Sequence, residues 1–161
     1  SVKSVATVQT LDYRQAKDQK FKNMLPIVGS LAAGVSRSGF ISESLREDPD
    51  IEWVRVPDAV AGKNRYVVEV AGDSMEPTLS KGDLVVVEYH RSPRKDGQVV
   101  VGLDPSFGED VAIKRLFEEQ DHWRYESENP SYSPHRLRKS DARYPILGVV
   151  VYNLTTGTSV A

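Results

Sequence analysis

The chain has 161 residues, 39% of them hydrophobic, a formal charge of -2 at pH 7 and no cysteine. That length fits one domain plus an arm or linker, with apolar content enough for a core. The small charge gives no global pull toward nucleic acid or an anionic membrane, and the absence of cysteine excludes disulfides, thiolate metal sites and cysteine nucleophiles and fits a reducing compartment.

In chain order, residues 1–23 are polar and lysine-rich around Lys17, Lys20 and Lys22, with no sustained helical or strand period, and read as an arm or linker. Met24 to Gly29 is a short apolar run interrupted by Pro26. It leads through the small residues Leu31-Ala32-Ala33-Gly34 into a polar segment ending at Asp50. Proline demotes that run to an edge strand and glycine loosens the stretch after it, so residues 24–50 read as an extended, adaptable peptide. From Trp53 onward the signals are mostly β. Arg65 to Ala71, Leu84 to Tyr89, Gln98 to Leu103, Val111 to Phe117, His122 to Glu126 and Ile146 to Tyr152 are short runs rich in β-branched and aromatic residues, separated by turn formers. A short helical turn is expected at Glu76 to Ser80. The valine triplets at 85–87, 99–101 and 149–151 are unbroken rather than alternating, which predicts strands covered on both faces. Residues 51–161 therefore read as a compact, mainly antiparallel β-domain. No run approaches the roughly 18 apolar residues of a membrane span, and no signal-peptide pattern opens the chain, so a cytoplasmic location is expected. The first residue is Ser1 rather than Met, which hints at a fragment.

Two features carry chemistry. Ser74 follows Gly72-Asp73 and precedes Pro77, so it sits in a bent stretch between two apolar runs. One reading is a turn with a capping hydroxyl; the other is a nucleophile awaiting a base. Lys114, inside the run Val111-Ala112-Ile113-Lys114-Arg115-Leu116, stands where a strand would normally carry an apolar residue. A lysine acts as a base only when neutral, and burial can lower its ordinary pKa of about 10.4 by roughly 3–5 units. The competing reading is an edge residue that snorkels to water. His90, His122 and His135 are too scattered for a ligand set. The basic groups at Arg91, Arg94 and Lys95 and at Arg136, Arg138 and Lys139 read as solvated loop charges. Gly148, inside the last apolar run, marks a bulge or a close backbone approach, as at a dimer seam.

Gly72 to Pro77 with Lys81-Gly82-Asp83-Leu84-Val85, then Gly97 to Val101, then Val111 to Leu116, together resemble the self-cleaving C-terminal domain of LexA-type and phage repressors, the peptidase S24 family. The resemblance extends to Leu25-Pro26-Ile27-Val28-Gly29 before Ala32-Ala33-Gly34, to Glu128-Asn129-Pro130-Ser131-Tyr132 and to Ile146 through Val150. It implies a LexA-like or signal-peptidase-like β-domain with a flexible N-terminal arm, in which residues 24–50 carry the cleavage site and residues 51–161 form a peptidase and dimerisation core. It also implies Ser74 as nucleophile, Lys114 as general base, the Ala33–Gly34 bond as substrate and the backbone amides of Asp73 and Ser74 as oxyanion donors. No metal or cofactor enters such chemistry. The implied partners are a second copy of the chain, a RecA-type filament as co-protease in response to DNA damage, and DNA through an N-terminal domain not present in these residues. The same residues leave two alternatives open: a UmuD-like accessory subunit of an error-prone polymerase, and a type I signal-peptidase-like enzyme, whose serine box also resembles Ser74 to Leu79.

Overall fold

The computed structural model describes residues 8–28, 46–89, 92–103, 111–141 and 146–160. Among them the chain builds two antiparallel sheets. The smaller has three strands, β1 (Thr10–Leu11), β2 (Met24–Pro26) and β3 (Trp53–Arg55), in the order β1-β3-β2, with a helix α1 (Tyr13–Asp18) between β1 and β2. The larger is ordered β4-β5-β10-β6-β7-β8-β9. Its strands are β4 (Arg65–Glu69), β5 (Leu84–Tyr89), β6 (Gln98–Leu103), β7 (Val111–Glu118), β8 (His122–Glu126), β9 (His135–Arg138) and β10 (Ile146–Asn153), with β11 (Thr158–Ser159) paired to β10. The mainly β expectation holds, and six of the strands coincide with the apolar runs.

Eight of the nine valines in the triplets are buried, Val151 being half-buried, and the structure shows what covers each face. Val85, Val87, Val99, Val101 and Val150 share one cluster with Met75 and Leu79 from the β4–β5 connection. Val67 and Val86 face the other way, against Leu25 and Val54 of the small sheet and Val56 just after it. A third cluster, Val100, Val149, Leu116 and Tyr125, lies under the β6–β8 region. Each fully buried valine or leucine is worth about 1.5–3 kcal/mol relative to exposure, so the small sheet is an integral layer of the core.

Residues 8–23, inside the segment expected as an arm, carry β1 and α1. Asp12 caps the helix, accepting from the Gln15 amide at 2.8 Å while the Gln15 side chain accepts from the Asp12 amide at 3.0 Å. This reciprocal capping box satisfies amides that a helix start leaves unpaired. Ala16 is buried with Leu11, Met24 and Trp53, and the Phe21 ring lies 4.6 Å from that of Trp53. The chain then turns through Lys20, Phe21 and Asn23, all at positive φ without glycine, so the usual turn punctuation is missing from the sequence. The small sheet also touches the edge of the large one. Ile27 bridges Val67 in parallel, and the Val28 amide donates to the Val67 carbonyl at 2.8 Å.

Gly148 makes the close backbone approach expected of it. It lies in β10 between β5 and β6, opposite Tyr89 on one side and Val101 on the other, next to a register shift against β6. A methyl group there would fall 2.8 Å from Val87 Cγ1 and closer still to the Glu88 carbonyl oxygen. The close approach is thus within one sheet.

Candidate active site

The connection between β4 and β5 carries Ser74. Its base is closed by two bonds, from the Val70 amide to the Asp83 carbonyl at 2.9 Å and from the Gly82 amide to the Val70 carbonyl at 2.8 Å. Gly82 has φ 91, a conformation that costs a glycine little. Met75 and Leu79 are driven into the core at 1% and 0% exposure, which fixes half-buried Ser74 against the sheet. The expected helical turn is a single one, closed by the Leu79 amide on the Met75 carbonyl at 2.8 Å. Asp83 is buried and its Oδ2 accepts from the Ser80 amide and from Asn153 Nδ2, each at 2.9 Å, tying the turn to the end of β10.

Lys114 lies on β7, opposite Val100 of β6. Across the β7–β8 hairpin Arg115 pairs with Glu126, so antiparallel register brings Ser127 opposite Lys114. Directly opposed side chains of an antiparallel pair meet on one face. Half-buried Lys114 accordingly donates from Nζ to Ser127 Oγ at 2.7 Å, and its Nζ stands 5.3 Å from the centre of the Tyr132 ring. A cation is attracted to an aromatic face at that range.

The loop 127–132 joins these two halves. Beyond Ser127, the Asn129 amide donates to the Ser74 carbonyl at 2.9 Å and Asn129 Nδ2 to the Asp73 carbonyl at 3.2 Å. The Tyr132 hydroxyl donates to Asp73 Oδ1 at 2.6 Å. Strand alternation alone would turn Arg115, one residue from the lysine, away from the site; its guanidinium instead bonds the Gly97 carbonyl, Glu128 and, at 3.5 Å, Thr78 Oγ1 of the serine turn. Serine, lysine and their neighbours therefore converge on one short loop, although 40 positions separate Ser74 from Lys114. Among the described residues no acceptor takes up the amides of Asp73 and Ser74, whose carbonyls are both engaged. Ala33 and Gly34 lie outside the described residues.

Ser127, Asn129, Tyr132, Asp83 and Arg115 were not singled out by role from the sequence. Only Ser127 had a readable signal: once Gln120-Asp121 is taken as the hairpin turn, register places it across from Lys114. Elsewhere, His122 Nδ1 meets Asp121 at 2.9 Å, Arg136 and Lys139 bond Glu119 and Glu118, and His90 and Arg91 lie outside the described residues. Among the described residues no group of three or more metal-ligating side chains forms, and no helix is long and apolar enough to cross a membrane.

Comparison with known proteins gives the family. The family model described as Peptidase S24-like matches residues 26–151. LexA repressors of Bacillus thuringiensis (strain Al Hakam) and Bacillus cereus (strain Q1) are 32% identical over 127 residues, covering 78% of this chain and 57% of theirs. The LexA repressor of Bacillus mycoides (strain KBAB4) is 30% identical over 127 residues, 78% of this chain and 58% of its own. The chain spans somewhat over half the length of these relatives. It belongs to the Peptidase S24-like family, as a LexA-type peptidase domain.

Proposed function

We propose that this S24-like domain cuts its own chain between Ala33 and Gly34, with Ser74 as nucleophile and Lys114 as general base. The observation that carries this is the shared loop. Ser127 accepts from the lysine while the Asn129 amide, two residues on, donates to the serine turn, so one short segment ties base and nucleophile to each other. Neutral Lys114 accepts the proton of Ser74 Oγ as that oxygen attacks the Ala33 carbonyl carbon. The amides of Asp73 and Ser74 donate to the oxyanion that forms. The C–N bond breaks as the lysine passes its proton to the Gly34 nitrogen, leaving Ala33 as an ester on Ser74. Water, deprotonated by the same amine, then releases Ala33 as a carboxylate.

The likeness to LexA repressors supports a wider reading. In it the domain belongs to a repressor that dimerises, binds DNA through a preceding domain, and is induced to cut itself by a RecA-type filament after DNA damage. The induced step is a shift in population toward a docked cleavage segment. The test uses alkaline pH, which deprotonates the lysine without any activator. Purified chain should yield a fragment whose N-terminal residue is Gly34, and Ser74→Ala should yield none. An intact parent chain at alkaline pH, or equal cutting in Ser74→Ala, would refute the assignment.

A further inference from the structure

We infer that the cut does not by itself separate the two pieces: the N-terminal piece stays docked on the core, and its release is a second, distinct step. The inference rests on the proposed cleavage for its biological setting, but its physical basis lies entirely in residues on either side of the 29–45 segment. Hydrolysis breaks one C–N bond and adds one water, giving a carboxylate on Ala33 and an amine on Gly34; no other bond changes. The contacts between residues 8–28 and the chain beyond the cut are all non-covalent and involve neither Ala33 nor Gly34.

The interface is a packed layer. Leu25 is 2% exposed and packs with Val54, Val56, Val67 and Val86, all of which lie beyond the cut. Met24, Leu11 and Ala16 enclose Trp53, which is 1% exposed, and Val28 enters the main core beside Tyr66 and Val68. Backbone bonds cross the same boundary: the Arg55 amide to the Gln9 carbonyl at 3.1 Å, Val56 to Asn23 at 2.8 Å, Ile27 to Glu52 at 2.9 Å and Val28 to Val67 at 2.8 Å. Strands β1 and β2 flank β3 on both sides, so losing the piece would expose both edges of β3 and one face of β4–β5 at once. Unpaired edges and bare apolar faces are costly in water. The surface left on the core is therefore a site for a short extended peptide with apolar residues at the positions of Met24, Leu25 and Val28. Its resident occupant is the chain's own N-terminal product.

The test needs a cut but not self-cleavage. A recognition sequence for an added site-specific protease is placed at Ala33–Gly34 in the full chain, and the protein is cut in native buffer, in parallel with alkaline self-cutting of the parent. Size-exclusion chromatography and native mass spectrometry at micromolar concentration should show one particle of the uncut mass plus one water, which resolves into two pieces only in denaturant. Leu25→Asp should shed its N-terminal piece on cutting. If that variant does not fold, Arg55→Ala, which loses its side-chain bonds to Gln9 and Gln19, should release the piece several-fold more readily on dilution. Separation of the parent's pieces in native buffer would overturn the inference, as would retention unaffected by both substitutions. Failure of self-cutting alone, with the protease-cut particle intact, would count against the catalytic assignment and leave the retention result standing.

Discussion

Gly148→Ala is the sharpest structural test, because β10 lies between β5, which follows the Ser74 turn, and β6, which pairs with the lysine strand β7. The added methyl would sit 2.8 Å from Val87 Cγ1, 3.1 Å from the Glu88 carbonyl carbon and closer still to the carbonyl oxygen. Real Cβ atoms do not approach that near, and the obstacle is backbone of a hydrogen-bonded neighbouring strand, so β5 and β10 must part. Overpacking a core costs about 1–3 kcal/mol, and an obstacle that cannot rotate away sets the value near the top, about 3 kcal/mol. For a domain of this size each kcal/mol lowers the melting temperature by roughly 2–4 °C, giving a fall of about 6–12 °C. Gly72→Ala is the matched control: nothing lies within 4 Å of its added methyl and its φ is not positive, so its melting temperature should be unchanged or slightly raised. Calorimetry on both variants decides the matter. A Gly148→Ala protein melting within about 2 °C of the parent would refute the reasoning. Because the same displacement moves the serine side of the sheet relative to the lysine side, the folded variant should also cut itself more slowly.

Asp83→Ala removes a buried acceptor and leaves the Ser80 amide and Asn153 Nδ2 without it; denaturant unfolding should show a loss of about 2–4 kcal/mol. Tyr66 is 0% exposed, and among the described residues its hydroxyl has no hydrogen-bond partner, so Tyr66→Phe should be neutral or stabilising by up to about 1 kcal/mol. Burial, reinforced by Tyr89, also pushes the Tyr66 phenol well above its ordinary 10.0. The folded state keeps that proton when the unfolded chain has lost it, so stability is complete below about pH 10 and falls as pH rises beyond it; Tyr66→Phe should flatten the alkaline fall in melting temperature. The hydrogen bond from Arg136 holds Glu119 below its ordinary 4.5, so the stabilisation it gives is present above that value and lost as pH falls through the lowered pKa. In an NMR titration Arg136→Ala should let Glu119 titrate closer to 4.5.

The large sheet was legible because its strands are apolar enough to stand out against turn formers, and the unbroken valines announced two covered faces. What covers the second face was not legible. Strand β1 has two residues and α1 has six, too few for a period of 2 or 3.6 to emerge from a lysine-rich background. Their stability comes from Trp53 and Leu25, which declare nothing about where their partners lie. Strand β9, His135–Arg138, was hidden for a related reason: it is an edge strand whose exposure alternates with charged residues outward, and its sequence reads as a basic loop. At the site, Ser74 and Lys114 were readable from local oddity, a serine in a bent turn and a lysine in an apolar run. The loop that joins them was not, since Asn129 and Tyr132 act through bonds to residues more than 50 positions away.

The small sheet gives the proposed reaction its intramolecular character. Pro26 pairs with Trp53, and the Ile27 amide bonds the Glu52 carbonyl at 2.9 Å, so the chain before and the chain after the segment carrying Ala33–Gly34 are held in one sheet. Ile27 lies beside Val67 in parallel on the open edge of β4, the strand that leads into the serine turn. Ala33 is only five residues beyond Val28, a reach of at most about 18 Å when extended. In the proposed reaction, holding Val28 fixed lowers the entropy cost of bringing bond and nucleophile together. The control points of that proposed reaction are the lysine, whose Nζ is engaged by Ser127 and faces Tyr132, and the docking of the segment.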